Sequence, residues 1–335
     1  MEEDRVNVDA LDLEASSREL NQNLVLKDEQ GHALLQVALL ATVYFPEPSR
    51  REAKEAVVAC TEAYLRRWGK HLLWALDPDS GDLVRFGEGK ASNVREWLPD
   101  VPEDESFTLI FHGAPWKRGA SVYSLEAFGQ QRRPYLKFGY LRVAFPLLEF
   151  ADGSGSLSEV LLDICRTLQP VSGYGGIGII ESPDRVISSR LEPFVYQWAR
   201  HFPGLEADYP IPHSLWLTDG REGGRDGIKG GNWLTVLGDR YLPELGGADK
   251  VEADLAALDS QFVVRRYAGG VLIQAGPRPQ LGDAPRDVWP SLYVKLARYL
   301  KPIRVINHNA FQHGGSGERF DKANSEAWLR RFDDK

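Results

Sequence analysis

Three glycines, Gly173, Gly175 and Gly178, form the pattern G-x-G-x-x-G in the stretch SGYGGIGIIES. In dinucleotide-binding proteins this pattern follows a strand and opens a helix, whose N-terminal amides hold the pyrophosphate. Here the order is reversed, because the helical pattern LSEVLLDICRTL precedes the glycines and the apolar run IGII follows them. We therefore interpret the glycines as a turn between a helix and a strand, which cannot direct helix amides at a phosphate.

Two histidines and one aspartate are the other candidates for chemistry. His308 and His313 stand five residues apart in NHNAFQHGG, with no carboxylate at ligand spacing, which is a weak metal signal. Asp283 lies among Pro and Gly residues in GPRPQLGDAPRD, where an aspartate usually hydrogen-bonds its own backbone in a turn. We favour surface or capping roles for the histidines and a turn role for Asp283. An enzyme of unrecognised class with a pocket near these three residues is kept as an alternative.

The elements that position these residues alternate irregularly between strands and helices. The pattern predicts a hairpin that turns at Gly31, with apolar residues alternating onto one face of its second strand up to Phe45. Two S-x-x-E pairs, Ser49 with Glu52 and Ser156 with Glu159, predict capped helices. Further helices are predicted in RLEPFVYQWARHF, KVEADLAALDS and DVWPSLYVKLARYL, and QFVVRRY with GVLIQAG predicts a second hairpin.

This order predicts an α+β fold with mixed or antiparallel sheets and packed helices. We expect two β-α-β-β units of the ferredoxin-like type in one compact body. Residues 1–22 are expected to form an acidic flexible tail, and 23–335 a single domain that can also be divided into lobes 23–150 and 151–335. Cys60 and Cys165 are expected as buried thiols within helices.

Composition restricts the function classes. The 335 residues are 43% hydrophobic and 26% charged, which is typical of a globular protein. The net charge of −8 gives no basic footprint for nucleic acid, but suits solubility or a basic protein partner. No apolar run approaches the about 20 residues of a membrane span, and the acidic start has no signal peptide, so we expect a cytoplasmic protein. No motif indicates a cofactor, a metal or catalysis.

A series of short motifs resembles one bacterial family. In order, they are GYGGIG, IKGGNWLTVLG, LPELGG, GGVLIQAGPRPQLGD, LARYLKPIR and WLRRF, preceded by similar patterns in the N-terminal half. The chain is thereby similar to the type VI immunity family over nearly all of residues 33–332. Its framework residues are taken to be structural: Gly173, Tyr174, Gly175, Gly176, Gly178, Trp233, Gly246, Gly247, Gly276, Gly282 and Asp283.

The resemblance implies an antitoxin that neutralises a toxic effector of a type VI secretion system by stoichiometric contact, without catalysis. Such toxins are usually encoded by a neighbouring gene, and several act as nucleases. Because a nuclease presents a basic cleft to phosphate, we expect the acidic segments 77–82 or 100–105 to contact a basic toxin face. An accessory or scaffold protein of a secretion or phage-like system is the remaining alternative.

Overall fold

The computed structural model describes residues 24–132, 138–217, 227–312 and 317–335. Within these ranges the strands form one eleven-stranded antiparallel sheet. The strands are β1 Val25–Lys27, β2 Ala33–Pro46, β3 Trp74–Leu76, β4 Leu83–Arg85, β5 Phe107–His112, β6 Ser124–Gly129, β7 Phe138–Phe145, β8 Ser172–Glu181, β9 Leu234–Gly238, β10 Phe262–Tyr267 and β11 Gly270–Ala275.

The strand order is β10-β11-β9-β8-β2-β7-β6-β5-β3-β4, and β1 pairs with β2 beside this path. The centre of the sheet is the pairing of β2 with β8, which runs from Leu35 opposite Glu181 to Tyr44 opposite Ser172. Because β2 belongs to the first half of the chain and β8 to the second, both halves share one sheet. The α+β class and its antiparallel sheet are confirmed, whereas the two ferredoxin-like units are not.

Helices pack on this sheet and bury its central strands. Helices α3 and α4 both contact β2, and every residue from Val37 to Phe45 is buried, so both faces of β2 are covered rather than one. No helix in the described ranges has the length and apolar character needed to cross a bilayer. The helices are α1 Arg51–Trp68, α2 Val94–Trp97, α3 Leu157–Leu168, α4 Arg185–His201, α5 Pro210–Trp216, α6 Ala248–Leu258, α7 Ser291–Leu300 and α8 Lys322–Leu329.

The two predicted capping boxes have different outcomes. Ser156 caps α3, and its side chain accepts a hydrogen bond from the amide of Glu159, as predicted. Helix α1 begins after Arg50 and has no side-chain cap, so the prediction from Ser49 and Glu52 is wrong. The helix starts one residue later than the S-x-x-E spacing requires, because Arg50 rather than Ser49 is the N-cap. The buried thiols Cys60 and Cys165 are confirmed.

The glycine stretch is a strand rather than a turn, which corrects the interpretation made from the sequence. Helix α3 ends at Gln169, whose φ of 46° supplies the left-handed residue expected from a glycine. The whole of Ser172–Glu181 then forms β8 beside β2. A Cβ on Gly173 would lie 2.7 Å from the carbonyl oxygen of Thr42, and one on Gly176 would lie 2.7 Å from Oδ1 of Asn232. These glycines therefore allow other groups to approach the strand closely.

Candidate functional site

The residues singled out for chemistry lie apart in the fold. His308 is fully buried and hydrogen-bonds His213, so the expected surface or capping role is wrong. His313 lies outside the described residues. Asp283 is buried between His201, at 3.5 Å, and Arg286, at 3.4 Å, and its backbone bridges to Val288. Asp283 and His308 therefore contact different partners among the described residues, and the two side chains do not line a common pocket.

A buried lysine that the sequence reasoning missed lies against the glycine strand. Lys229 donates hydrogen bonds to Oε1 of Glu206 and, at 2.7 Å, to the carbonyl oxygen of Ala207. Asn232 donates from Nδ2 to Oε2 of the same glutamate at 2.5 Å. The ammonium also lies 4.4 Å from the centre of the Tyr174 ring. Burial lowers the pKa of Lys229, and the Glu206 carboxylate opposes that shift.

A second buried carboxylate adjoins this group. Asp208 accepts hydrogen bonds from the hydroxyl of Tyr174 and, at 2.7 Å, from Oγ1 of Thr42. Arg142 lies 3.6 Å from Asp208 and pairs with Glu126 at 2.5 Å. Burial raises the pKa of Tyr174 well above its usual range, and the nearby Asp208 adds to the shift. Asp208 is thus hydrogen-bonded and lies close to a cation, which is the condition for keeping a charge inside a protein.

The backbone explains how these carboxylates reach the sheet. After α4 the chain returns beside β8, where the amide of Glu206 donates to Ile177 and its carbonyl accepts from Ile179. Gly176 leaves room for Asn232, which holds Glu206 in place. The motif IKGGNW contained both Lys229 and Asn232, so charged and amide residues inside an otherwise apolar motif were the available signal. The glycine strand thus lies directly against the buried polar network of Lys229, Glu206 and Asn232.

The remaining framework residues make backbone contacts and turns in the described structure. Nε1 of Trp233 donates to the carbonyl oxygen of Gly276 at 2.9 Å. The short helix Leu242–Leu245 is followed by two glycines with positive φ. These are Gly246, with a φ of 88°, and Gly247, with a φ of 93°. Gly276 and Gly282 also have positive φ, at 86° and 69°.

An open acidic cleft lies at the β4 edge of the sheet and joins the two acidic segments identified in the sequence. Its volume is about 550 Å³, and the turn after β3 and the segment after α2 form its walls. We call it the acidic cleft, after the side chains in its lining: Asp77, Asp79, Glu96, Asp100 and Glu105, with Lys90.

The negative charge of the chain is concentrated around this cleft. Residues 77–105 hold nine acidic and three basic side chains, a net charge of −6 against −8 for the whole chain. Lys90 pairs with Asp79 at 2.9 Å and Arg51 pairs with Asp100 at 3.0 Å, both at exposed positions. Such a concentration of one sign produces a local field that attracts cations and basic surfaces.

The wall of the acidic cleft also contains a buried tryptophan. Trp97 is 7% exposed and ends α2. Its Nε1 has no hydrogen-bond partner among the described residues. A second cavity, of about 250 Å³, lies between α1 and α3 and is lined by Cys60, Tyr64 and Trp68. Neither of these two cavities is lined by His308 or Asp283.

Comparisons with known proteins point to a single family. A family model described as type VI immunity for VRR-NUC matches residues 56–332. No curated protein sequence matches the chain. Among solved structures, the Pseudomonas aeruginosa T6SS protein PA0821 is similar with a TM-score of 0.81 and 24% sequence identity, over 96% of this chain and 90% of that one. At that identity the structural likeness shows the fold.

Proposed function

The chain belongs to the type VI immunity family for VRR-NUC, and on this basis we propose that it binds and neutralises a nuclease toxin of the VRR-NUC class by stoichiometric contact. The match over residues 56–332 is the observation that carries the proposal. The toxin is proposed to be the product of a neighbouring gene and to be met in the cytoplasm, where its substrate lies.

Charge supports a nuclease as the partner. A nuclease must present basic side chains to the phosphate backbone, because phosphate contacts dominate its affinity for nucleic acid. This chain carries a net charge of −8, and most of that charge is concentrated in residues 77–105. Complementary fields accelerate the encounter of two proteins by about 10- to 1000-fold. An antitoxin that must capture its toxin before damage occurs benefits from that acceleration.

Neutralisation is proposed to require no turnover. The buried network around Lys229 has its charges paired internally, and His308 is enclosed against His213. Inhibition by contact predicts that one molecule of this protein inactivates one molecule of toxin. An enzymatic inactivator would instead act at a small fraction of the toxin concentration.

Co-expression in a heterologous host tests the proposal. The adjacent VRR-NUC nuclease gene is expressed alone, with this chain, and with an unrelated acidic protein of similar size. We expect this chain to restore growth and to co-purify with the nuclease, and the unrelated protein to do neither. Continued killing in cells that contain folded, soluble chain would overturn the proposed function for that pair.

A further inference from the structure

We propose that the acidic cleft is the docking surface for the partner and that it accepts a basic segment of the nuclease, with a Lys or Arg side chain inserted between its walls. This inference rests on the proposed function and specifies the chemistry of the partner. It also goes beyond overall charge, because it assigns recognition to one concave site of about 550 Å³ rather than to the acidic surface in general.

Two carboxylates of the acidic cleft are available to such a segment. Within the described ranges, Glu96 and Glu105 have no ion-pair partner, whereas Asp79 and Asp100 are paired with Lys90 and Arg51. Both free carboxylates are exposed and line the cleft. Guanidinium or ammonium groups of the segment would form charge-assisted hydrogen bonds with these carboxylates, which are stronger than neutral ones.

Trp97 lies in the wall of the acidic cleft with its indole nitrogen buried. Its indole N–H is a donor without an acceptor, and a buried donor left unpaired carries a free-energy cost of about 1–3 kcal/mol. The nitrogen itself is closed to solvent, so Trp97 serves as a reporter in the wall of the cleft rather than as a contact for the partner.

The walls of the cleft are held in place before any partner arrives. In the turn after β3, the amide of Asp77 donates to the carbonyl oxygen of Asp82 at 2.8 Å. On the other wall, the buried Lys54 donates to the carbonyl oxygen of Val101, and the amide of Val101 donates to Leu98. A prearranged surface loses little conformational entropy on binding, which favours affinity.

A basic peptide tests the cleft without the nuclease. Hexa-arginine is titrated into the ¹⁵N-labelled full chain, and the indole N–H signals are followed by NMR, with Trp97→Phe identifying the signal of Trp97. We expect that signal to shift and the double variant Glu96→Gln/Glu105→Gln to bind about tenfold more weakly. The matched control Asp163→Asn/Glu318→Gln removes two exposed carboxylates outside the cleft and should bind within twofold of wild type.

Two results with the peptide would overturn the cleft as a basic-peptide site. One is equal weakening by the cleft variant and the control, which would indicate attraction by net charge alone. The other is a Trp97 signal that 1 mM Ca²⁺ shifts and hexa-arginine does not, which would indicate a cation site.

The same variants are then tested against the catalytically inactivated VRR-NUC nuclease. We expect Glu96→Gln/Glu105→Gln to slow association about tenfold and to reduce its dependence on salt. If the wild-type chain binds the nuclease and all variants bind equally, the cleft inference fails while the proposed function stands. If the wild-type chain binds the peptide but not the nuclease, the proposed function and the assignment of this partner fail together.

Discussion

Nδ1 of His213 lies 2.9 Å from Nε2 of His308, and both imidazoles are fully buried. Nδ1 of His308 lies 2.7 Å from the carbonyl oxygen of Asn309, which can only accept, so this nitrogen carries the proton. Nε2 of the neutral His308 is therefore an acceptor, and His213 donates to it. This chain of donors fixes both tautomers. Two protonated rings would place donor against donor, and burial disfavours the charged form of either ring by lowering the pKa of both.

The histidine pair predicts a loss of stability in mild acid. Burial lowers the pKa of His308 to about 4 and that of His213 well below its usual range, and Lys229 adds to both shifts. The unfolded chain takes up these protons near pH 6.5, so below that pH protonation favours unfolding. The free energy of unfolding should fall as the pH is lowered from about 6.5 towards 4, by about 1.4 kcal/mol per pH unit for each histidine. Urea unfolding at pH 7, 6 and 5 measures it.

A single substitution isolates the contribution of the pair. His308→Gln keeps an acceptor for His213 and removes one titrating group, so the slope should decrease by about 1.4 kcal/mol per pH unit. His112, whose pKa burial also lowers to about 4, contributes equally to both proteins. A wild-type slope in His308→Gln would contradict the neutral pair.

The buried pair of Lys229 and Glu206 predicts a large and non-additive effect on stability. Lys229→Met leaves the carboxylate of Glu206 buried without its cation and should lower the free energy of unfolding by about 3–5 kcal/mol. Adding Glu206→Gln removes the uncompensated charge, so the double variant should be more stable than Lys229→Met alone. Urea unfolding of the four proteins of this cycle measures the coupling. Additive losses would mean that the two side chains do not depend on each other.

At Gly176 of the glycine strand, an added methyl group is predicted to disturb the buried network. Gly176→Ala would place Cβ 2.7 Å from Oδ1 of Asn232, which holds Glu206, and should cost about 1–3 kcal/mol. Gly69→Ala is the matched control, because the nearest atom to its new Cβ would lie 3.9 Å away. Thermal unfolding compares the two variants. Similar melting temperatures would show that β8 does not need the glycine for close approach.

The two S-x-x-E pairs predict losses of stability of different size for the same substitution. Ser156→Ala removes the side-chain bond to the amide of Glu159 and should destabilise the protein by about 1 kcal/mol. Ser49→Ala removes no helix cap, because α1 begins after Arg50 without one, so its loss should be smaller. Urea unfolding at pH 7 distinguishes them. A larger loss for Ser49→Ala would place the start of α1 at the position that the sequence pattern predicted.

Local patterns in the sequence predicted those elements whose signals lie within a few residues. The hairpin of β10 and β11 and the cap at Ser156 were predictable because turn and cap chemistry act over three or four positions. The glycine strand β8 was not predictable in this way. Glycine disfavours strands by itself, and β8 forms because β2 and the segment carrying Glu206 pair with it from distant parts of the chain.

The acidic cleft was also predictable only in part, because its segments are visible in the sequence but their position in the fold is not. Charge alone identified segments 77–82 and 100–105, since acidic residues are visible in any window. Their meeting in one cleft depends on the β3–β4 hairpin turning back towards the start of β5, which involves pairing across the sheet. Trp97 could not be distinguished from the other eight tryptophans, because only the fold shows which indole N–H lacks a partner.

Inhibition of the purified VRR-NUC nuclease by the purified chain tests the central claim most directly. Plasmid cleavage is measured at a fixed nuclease concentration well above the dissociation constant, while the chain is added in small steps. Stoichiometric neutralisation predicts a linear loss of cleavage that ends at one molar equivalent. Full cleavage in a large excess of folded chain, or complete loss at a small fraction of an equivalent, would contradict it.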